Sequence, residues 1–193
     1  MNLIKCSVVI LVSFAAIALL VDSPVFQQAL VFSHSEPSSE IWILGSRHMA
    51  DNYPSKITIG ENYTVFLDVK NHLGSLAHYM VQIKFQNQTQ FTSETPVPSL
   101  YNVTTFIPDD GTWELPITFA MNYTHDKTLE AVKLDRITFN GVALDARGCS
   151  VTWDSQKKGF FGYLIFELWL YNSAVGDFQN HGRCVNLYFN LAA

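Results

Sequence analysis

"KITIGENYTVFLDVKNHLGSLAHYMVQIKF", Lys56 to Phe85, alternates apolar and polar residues along two runs joined by a short connector. In "NYTVFLDVKN", Tyr63, Val65, Leu67 and Val69 fall on one face, with Asn62, Thr64, Asp68 and Lys70 on the other. In "AHYMVQIKFQ", Tyr79, Val81, Ile83 and Phe85 oppose His78, Gln82, Lys84 and Gln86. Successive strand residues point to opposite faces, so this period of two defines half-buried antiparallel strands. Asn71 and Gly74 in the connector suit a turn. The first run also carries Asn62-Tyr63-Thr64, an acceptor triplet for an N-linked sugar. Period two resolves the apparent conflict, because Asn62 and Thr64 lie on the outward face.

The same pattern recurs downstream. In "TWELPITFAMNY", Trp113, Leu115, Ile117, Phe119 and Met121 share a face and Pro116 sits on the other. Proline removes a ladder donor, so this strand is expected at an edge or with a bulge. "VKLDRITF" suits a strand or a short helix. "GYLIFELWLYN" is apolar on both faces, which predicts a central strand covered on both sides. In "RCVNLYFNL", Val185, Leu187, Phe189 and Leu191 alternate against Cys184, Asn186, Tyr188 and Asn190. The connection from Gln88 to Gly111, with Pro96, Pro98 and Pro108, reads as a loop or crossover. Short alternating strands without a long amphipathic helix predict an all-β fold, an immunoglobulin-like two-sheet antiparallel sandwich.

The 193 residues are 48% hydrophobic, enough for a substantial core, and the net charge of -5 supplies no basic field for nucleic acid. "CSVVILVSFAAIALLV", Cys6 to Val21, is an uncharged apolar run, and "LIKC" supplies a missing turn if Lys5 snorkels. Lys5 before it and Asp22 after it orient Met1 to the cytoplasm. A cleaved signal peptide has the same outline, but no A-x-A pattern follows, which favours an uncleaved anchor. The expected organisation is a membrane anchor over 1–22, with one transmembrane helix, a polar tether over 23–39 and an extracytoplasmic sandwich over 40–193. The expected location is the cell membrane, single-pass.

"EIWILGSRHMADNYPSKITIGENYTVFLDVKNHLGSLAHYMVQIKF", "WELPITF", "LIFELWLYN" and "CVNLYFNL" resemble the C-terminal domain of an archaeal membrane-protein family, domain of unknown function 1616. "IGENYTVFLDVKN" is also similar to the opening strands of immunoglobulin-like surface modules. The resemblance implies an extracytoplasmic β-sandwich on an archaeal membrane anchor and brings no activity or catalytic residue with it. Longer members resembling this chain carry several membrane spans, whereas this chain has a single apolar run.

Candidate sites are few. Four N-x-T triplets start at Asn62, Asn87, Asn102 and Asn122. Asn62 lies on a polar strand face, Asn87 at a strand end, Asn102 in the long loop and Asn122 where a strand runs out, so each sugar would project into water. The bland alternative is that Asn and Thr are simply common in β-rich surfaces. Cys149 and Cys184 either pair, contributing roughly 3 to 4 kcal/mol by loop closure, or stay free thiols.

His34, His48, His72, His78, His125 and His181 are scattered, mostly in expected loops, with no zinc-hydrolase spacing. His181 and Cys184 lack the following His or Met that a copper site uses. Asp109, Asp110 and Glu114 cluster in "PDDGTWE", where a turn is favoured over calcium or glycoside chemistry. In "WDSQKKGFFGY", Lys157 and Lys158 beside Phe160 and Phe161 form either a sticky exposed tip or a hairpin whose rings fold back onto the core.

No cofactor or metal is expected. The leading expectation is a non-enzymatic interaction or adhesion module that contacts the membrane through its N-terminal helix and binds envelope proteins or glycans. A pilin-like filament subunit is the alternative, and a carbohydrate-binding or carbohydrate-active module is the weaker one.

Overall fold

Residues 37–87 and 97–192 are described by the computed structural model, so the expected anchor and His34 lie outside the described residues. Eleven strands run through them: β1 (Ser38–Leu44), β2 (Lys56–Ile57), β3 (Tyr63–His72), β4 (Ala77–Asn87), β5 (Tyr101–Ile107), β6 (Thr112–Asp126), β7 (Ala131–Phe139), β8 (Val142–Asp145), β9 (Ser150–Thr152), β10 (Phe160–Asn172) and β11 (Asp177–Leu191). β1 begins at Ser38, so Ser38 and Ser39 belong to a strand and not to a tether.

The first sheet has the order β1-β3-β6-β7-β8, with β9 also pairing to β7, and the second has the order β2-β11-β10-β4-β5. The described elements thus make an all-β, two-sheet fold. All pairings are antiparallel except the short parallel one between β2 and β11. Apolar alternation places the core between the sheets. Val65, Leu67 and Val69 from β3 are fully buried with Tyr79, Val81 and Ile83 from β4, and with Phe119, Phe139, Phe166 and Phe189. Each such large side chain contributes about 1.5–3 kcal/mol by leaving water.

Gly162 makes room for two of the rings: a Cβ there would stand 3.0 Å from Phe85 and 3.3 Å from Phe189. The β7–β8 hairpin closes through Asn140 and Gly141, both at positive φ (47° and 83°), as a two-residue mirror-image turn requires.

Some strand expectations are corrected and others resolved. β5 lies inside the stretch read as a loop and pairs with β4, its Tyr101, Val103 and Ile107 facing inward. "VKLDRITF" is the strand β7. β6 is not an edge strand overall, yet at Pro116 it is one locally. Thr118 turns its backbone groups toward Asn140 and β7 pairs only from Phe119 onward, so the missing Pro116 donor points where no ladder runs. A bulge does occur in β6, farther along at Asn122/Tyr123.

β10 is central, as expected, but no second layer covers its other face among the described residues. Cross-strand neighbours shield it instead: Phe161 stacks on Tyr188, His78 on Phe106, and Lys84 pairs with Glu167 at 2.7 Å.

Candidate interaction groove

β1 and β11 are where the two sheets come together at their open margins. Along β1, the Ile43 carbonyl accepts from Tyr53 Oη (2.9 Å) and Gly45 N–H donates to Met49 (2.8 Å). Backbone groups alternate sides along an antiparallel strand, so Ser39 and Ile41 also turn theirs away from β3. Along β11, Asn190 N–H donates to Ser55 and Ala192 N–H to Ile57, both at 2.9 Å. The even-numbered residues therefore face away from β10, and Cys184, Asn186 and Tyr188 follow the same rule. The β2 pairing reaches no further back than Ser55, which leaves those three residues without a neighbouring strand among the described residues.

Two contiguous cavities follow this margin. One, of about 630 Å³, is lined by Ser38–Trp42 with Arg183 and Cys184. The other, of about 500 Å³ and more apolar, is lined by Trp42, Ile43 and Leu44, by Ala50 and Tyr53, and by Val185–Tyr188.

Beneath the groove runs a buried polar chain that bridges the sheets. Asn71 Nδ2 donates to the Ser75 and Ile107 carbonyls (2.7 and 2.9 Å), which fixes its amide orientation. Asn71 Oδ1 accepts from Leu73 N–H (3.0 Å) and from Tyr79 Oη (3.1 Å). Tyr79 has one proton and spends it on Asn71, so the 2.6 Å contact with Ser39 has the serine as donor. Ser39 Oγ then accepts from His181 Nε2 at 3.1 Å.

That direction has a chemical consequence. A serine nucleophile must give its proton to the imidazole, and here the imidazole donates to the serine. Burial raises the Tyr79 phenol pKa above its ordinary value, partly offset by the Ser39 hydrogen bond. Burial, with Arg183 nearby, lowers the His181 pKa and so favours its neutral form. The Ser39–His181 pair is therefore a structural tie and not a hydrolytic dyad.

A second buried polar group sits on the outer face of the first sheet. Asp68, flanked across the ladder by Trp42 and Glu114, is 4% exposed and its Oδ2 has no hydrogen-bond partner. The water-facing position expected of it is wrong, because the segment after β1 folds back over this face. His48 from that segment stacks on Phe66 (centroids 3.7 Å apart) and meets Glu114 Oε2 at 3.0 Å. Burial first, and Glu114 second, raise the Asp68 pKa, with His48 opposing.

The other candidates disperse. Asp109 Oδ1 accepts from Gly74 N–H and Asp110 Oδ1 meets His72 Nδ1, both at 2.8 Å, in a turn closed by Gly111 N–H to the Pro108 carbonyl (3.0 Å). Glu114 is committed to His48, so the three carboxylates of "PDDGTWE" do not converge. His72, His78, His125 and His181 lie in strands and not in loops. No group that could hold a metal ion occurs among the described residues.

Cys149 and Cys184 are free thiols, Cys149 half-buried with its pKa raised by that burial and Cys184 exposed. They are not bonded to each other: Cys149 sits half-buried beside β7, whereas Cys184 is exposed on β11. Phe160 folds into the core, while Phe161 lies on the outer face under Lys157.

Among the acceptors, Asn62 is exposed just ahead of β3. Asn122 is exposed within β6, four residues before its end, and not where the strand runs out. Asn102 stands on β5, not in a loop, and touches the Ser99 hydroxyl. Asn87 ends β4 and donates its amide to the Ser150 carbonyl (2.9 Å).

The geometry defines an all-β, two-sheet domain with an open margin. The family model "Domain of unknown function (DUF1616)" matches residues 33–147, more than half of the chain, and the chain belongs to that family. The match stops before β9, β10 and β11, two of which build the middle of the second sheet.

Among solved structures, the CARDB domain of a Pyrococcus furiosus protein, in complex with di-metal ions, is similar at a TM-score of 0.41 and 8% identity. That likeness covers 81% of this chain and 89% of that one. A beta-glucosidase from Listeria innocua, in complex with glucose, is similar at 0.38 and 10%, over 82% of this chain and 16% of that one. The PapD-like domain 7 of human CEP192 is similar at 0.29 and 11%, over 81% and 85%. These likenesses carry no argument about ligand or activity. A search of curated proteins gives no match.

Proposed function

We propose that this chain is a non-enzymatic interaction module of an archaeal cell envelope, held at the membrane by its N-terminal segment and engaging other envelope components through the β1/β11 groove. One observation carries the reading: two strand margins that have no pairing strand among the described residues face each other across a lined groove, above a polar chain whose proton order suits structure and not catalysis. Exposed acceptors at Asn62 and Asn122 are consistent with an exported surface. The experiment is protease treatment of intact cells making the full chain with a C-terminal tag and a photo-crosslinking residue at Tyr188 or, as control, at Thr124 on the first sheet. Tag loss without lysis, and crosslinks to envelope components from position 188 and not 124, are expected. A protected tag, or identical crosslinks from both positions, sinks the proposal.

A further inference from the structure

The geometry points to a receiving lane for an extended strand of a partner polypeptide, beside β11 and in line with β2. This rests on the interaction-module reading and names how that module engages its partner.

The backbone is the first argument. Cys184, Asn186 and Tyr188 present outward N–H and C=O groups along a lane about 17 Å long, at roughly 3.4 Å per residue. β2 already shows how the lane is used, since Ser55 and Ile57 accept from Asn190 and Ala192. Unpaired edges of this kind are templates for another strand unless charge, proline or a bulge blocks them. β2 stops short of this stretch, and β11 runs free of bulges from Arg183 to Leu191.

Side chains then select the occupant. Trp42, Ile43, Val185 and Leu187 give the lane an apolar lining, so every second residue of the incoming strand is apolar. Arg183 stands at the far end and forms no ion pair among the described residues, so an acidic residue belongs there. Ala50 and Tyr53 wall the third side of the lane.

The test uses the full chain in detergent micelles and a synthetic peptide, acetyl-Asp-Val-Thr-Val-Thr-Val-amide, with the reversed peptide to cover both strand directions. Amide exchange at Asn186 and Tyr188 should slow roughly tenfold or more on saturation, and thiol labelling of Cys184 should slow with it. A twin peptide N-methylated at alternate amides should give no protection. Asn186→Pro removes an outward N–H without touching the β10 ladder, so it should abolish binding while leaving the melting temperature within a few degrees. Arg183→Glu should reverse the preference from the Asp-ended to a Lys-ended peptide.

Absence of protection with both peptide directions, equal binding by the N-methylated twin, or protection that tracks self-association of the chain overturns the proposal. If position 188 crosslinks in cells while the peptides fail, strand addition falls and the interaction module stands. If the peptides bind while the tag stays protected in cells, the lane stands and the envelope reading falls.

Discussion

Two buried polar sites in one sandwich have opposite outcomes. The His181–Ser39–Tyr79–Asn71 chain is closed in the sense that each bridging proton has an acceptor, and its Asn71 end lands on the Ser75 and Ile107 carbonyls. Asp68 is nearly as deeply buried as Ser39, at 4% exposed against 1%, yet one of its oxygens has no partner. A closed network ties two sheets together, whereas an orphan carboxyl holds its proton or costs stability. Burial alone therefore does not determine what a polar group contributes; the partner count does.

The sharpest way to break this contrast is Asn71→Ala. It strands two carbonyls, the Leu73 amide and the Tyr79 hydroxyl at once, and should cost about 3 kcal/mol in chemical unfolding. A loss under about 1 kcal/mol would mean that water replaces the amide and that the chain is not closed. Tyr79→Phe removes only the middle oxygen, leaving Ser39 without its acceptor, and should cost about 1.5 kcal/mol.

Asp68→Asn should act in the other direction. At pH 7 it should stabilise the domain by about 1 kcal/mol, since a neutral amide replaces a carboxyl whose ionisation burial resists. The sign follows from the raised pKa. Below the ordinary value of 3.8 the carboxyl is protonated in both folded and unfolded chains, so the stability it allows is fully present. That stability is lost as the pH rises through the higher folded value, so the gap between variant and wild type should open above about pH 4 and close in acid. A gap that stayed constant from pH 3 to 8 would show that Asp68 is ionised and satisfied.

Much of the frame could be read from residues alone, because strand faces are local. Val65, Leu67 and Val69, and Tyr79, Val81 and Ile83, are buried where their period of two puts them. β5 escaped because Pro96, Pro98 and Pro108 frame it and suggest a loop, although Tyr101, Val103 and Ile107 alternate like any strand. The Asn140-Gly141 pair was an available hairpin signal for β7 and β8.

The groove and its polar chain were not legible. Ser39 and His181 are 142 residues apart, and nothing local to either implies the other. Asp68 was placed in water because its strand alone says so; the cover arrives from His48 and its neighbours, which no period predicts. Likewise Glu114 was grouped with Asp109 and Asp110 by proximity in sequence, but the turn commits those two to Gly74 and His72, while Glu114 faces His48.

The smallest expected effect tests the proton order of the closed chain. Burial lowers the His181 pKa, so its neutral form is favoured in the folded state, and the stability this gives is present above the ordinary value of 6.5. As the pH falls from there toward the lowered value, the unfolded chain takes up the proton first and stability declines. His181→Gln keeps an amide donor for Ser39 but cannot titrate, so its stability should lack this particular acid step while retaining the carboxylate-driven decline at lower pH. If the two proteins lost stability in parallel between pH 6.5 and 5, the imidazole would be gaining its proton without penalty, which contradicts a half-buried donor tied to Ser39.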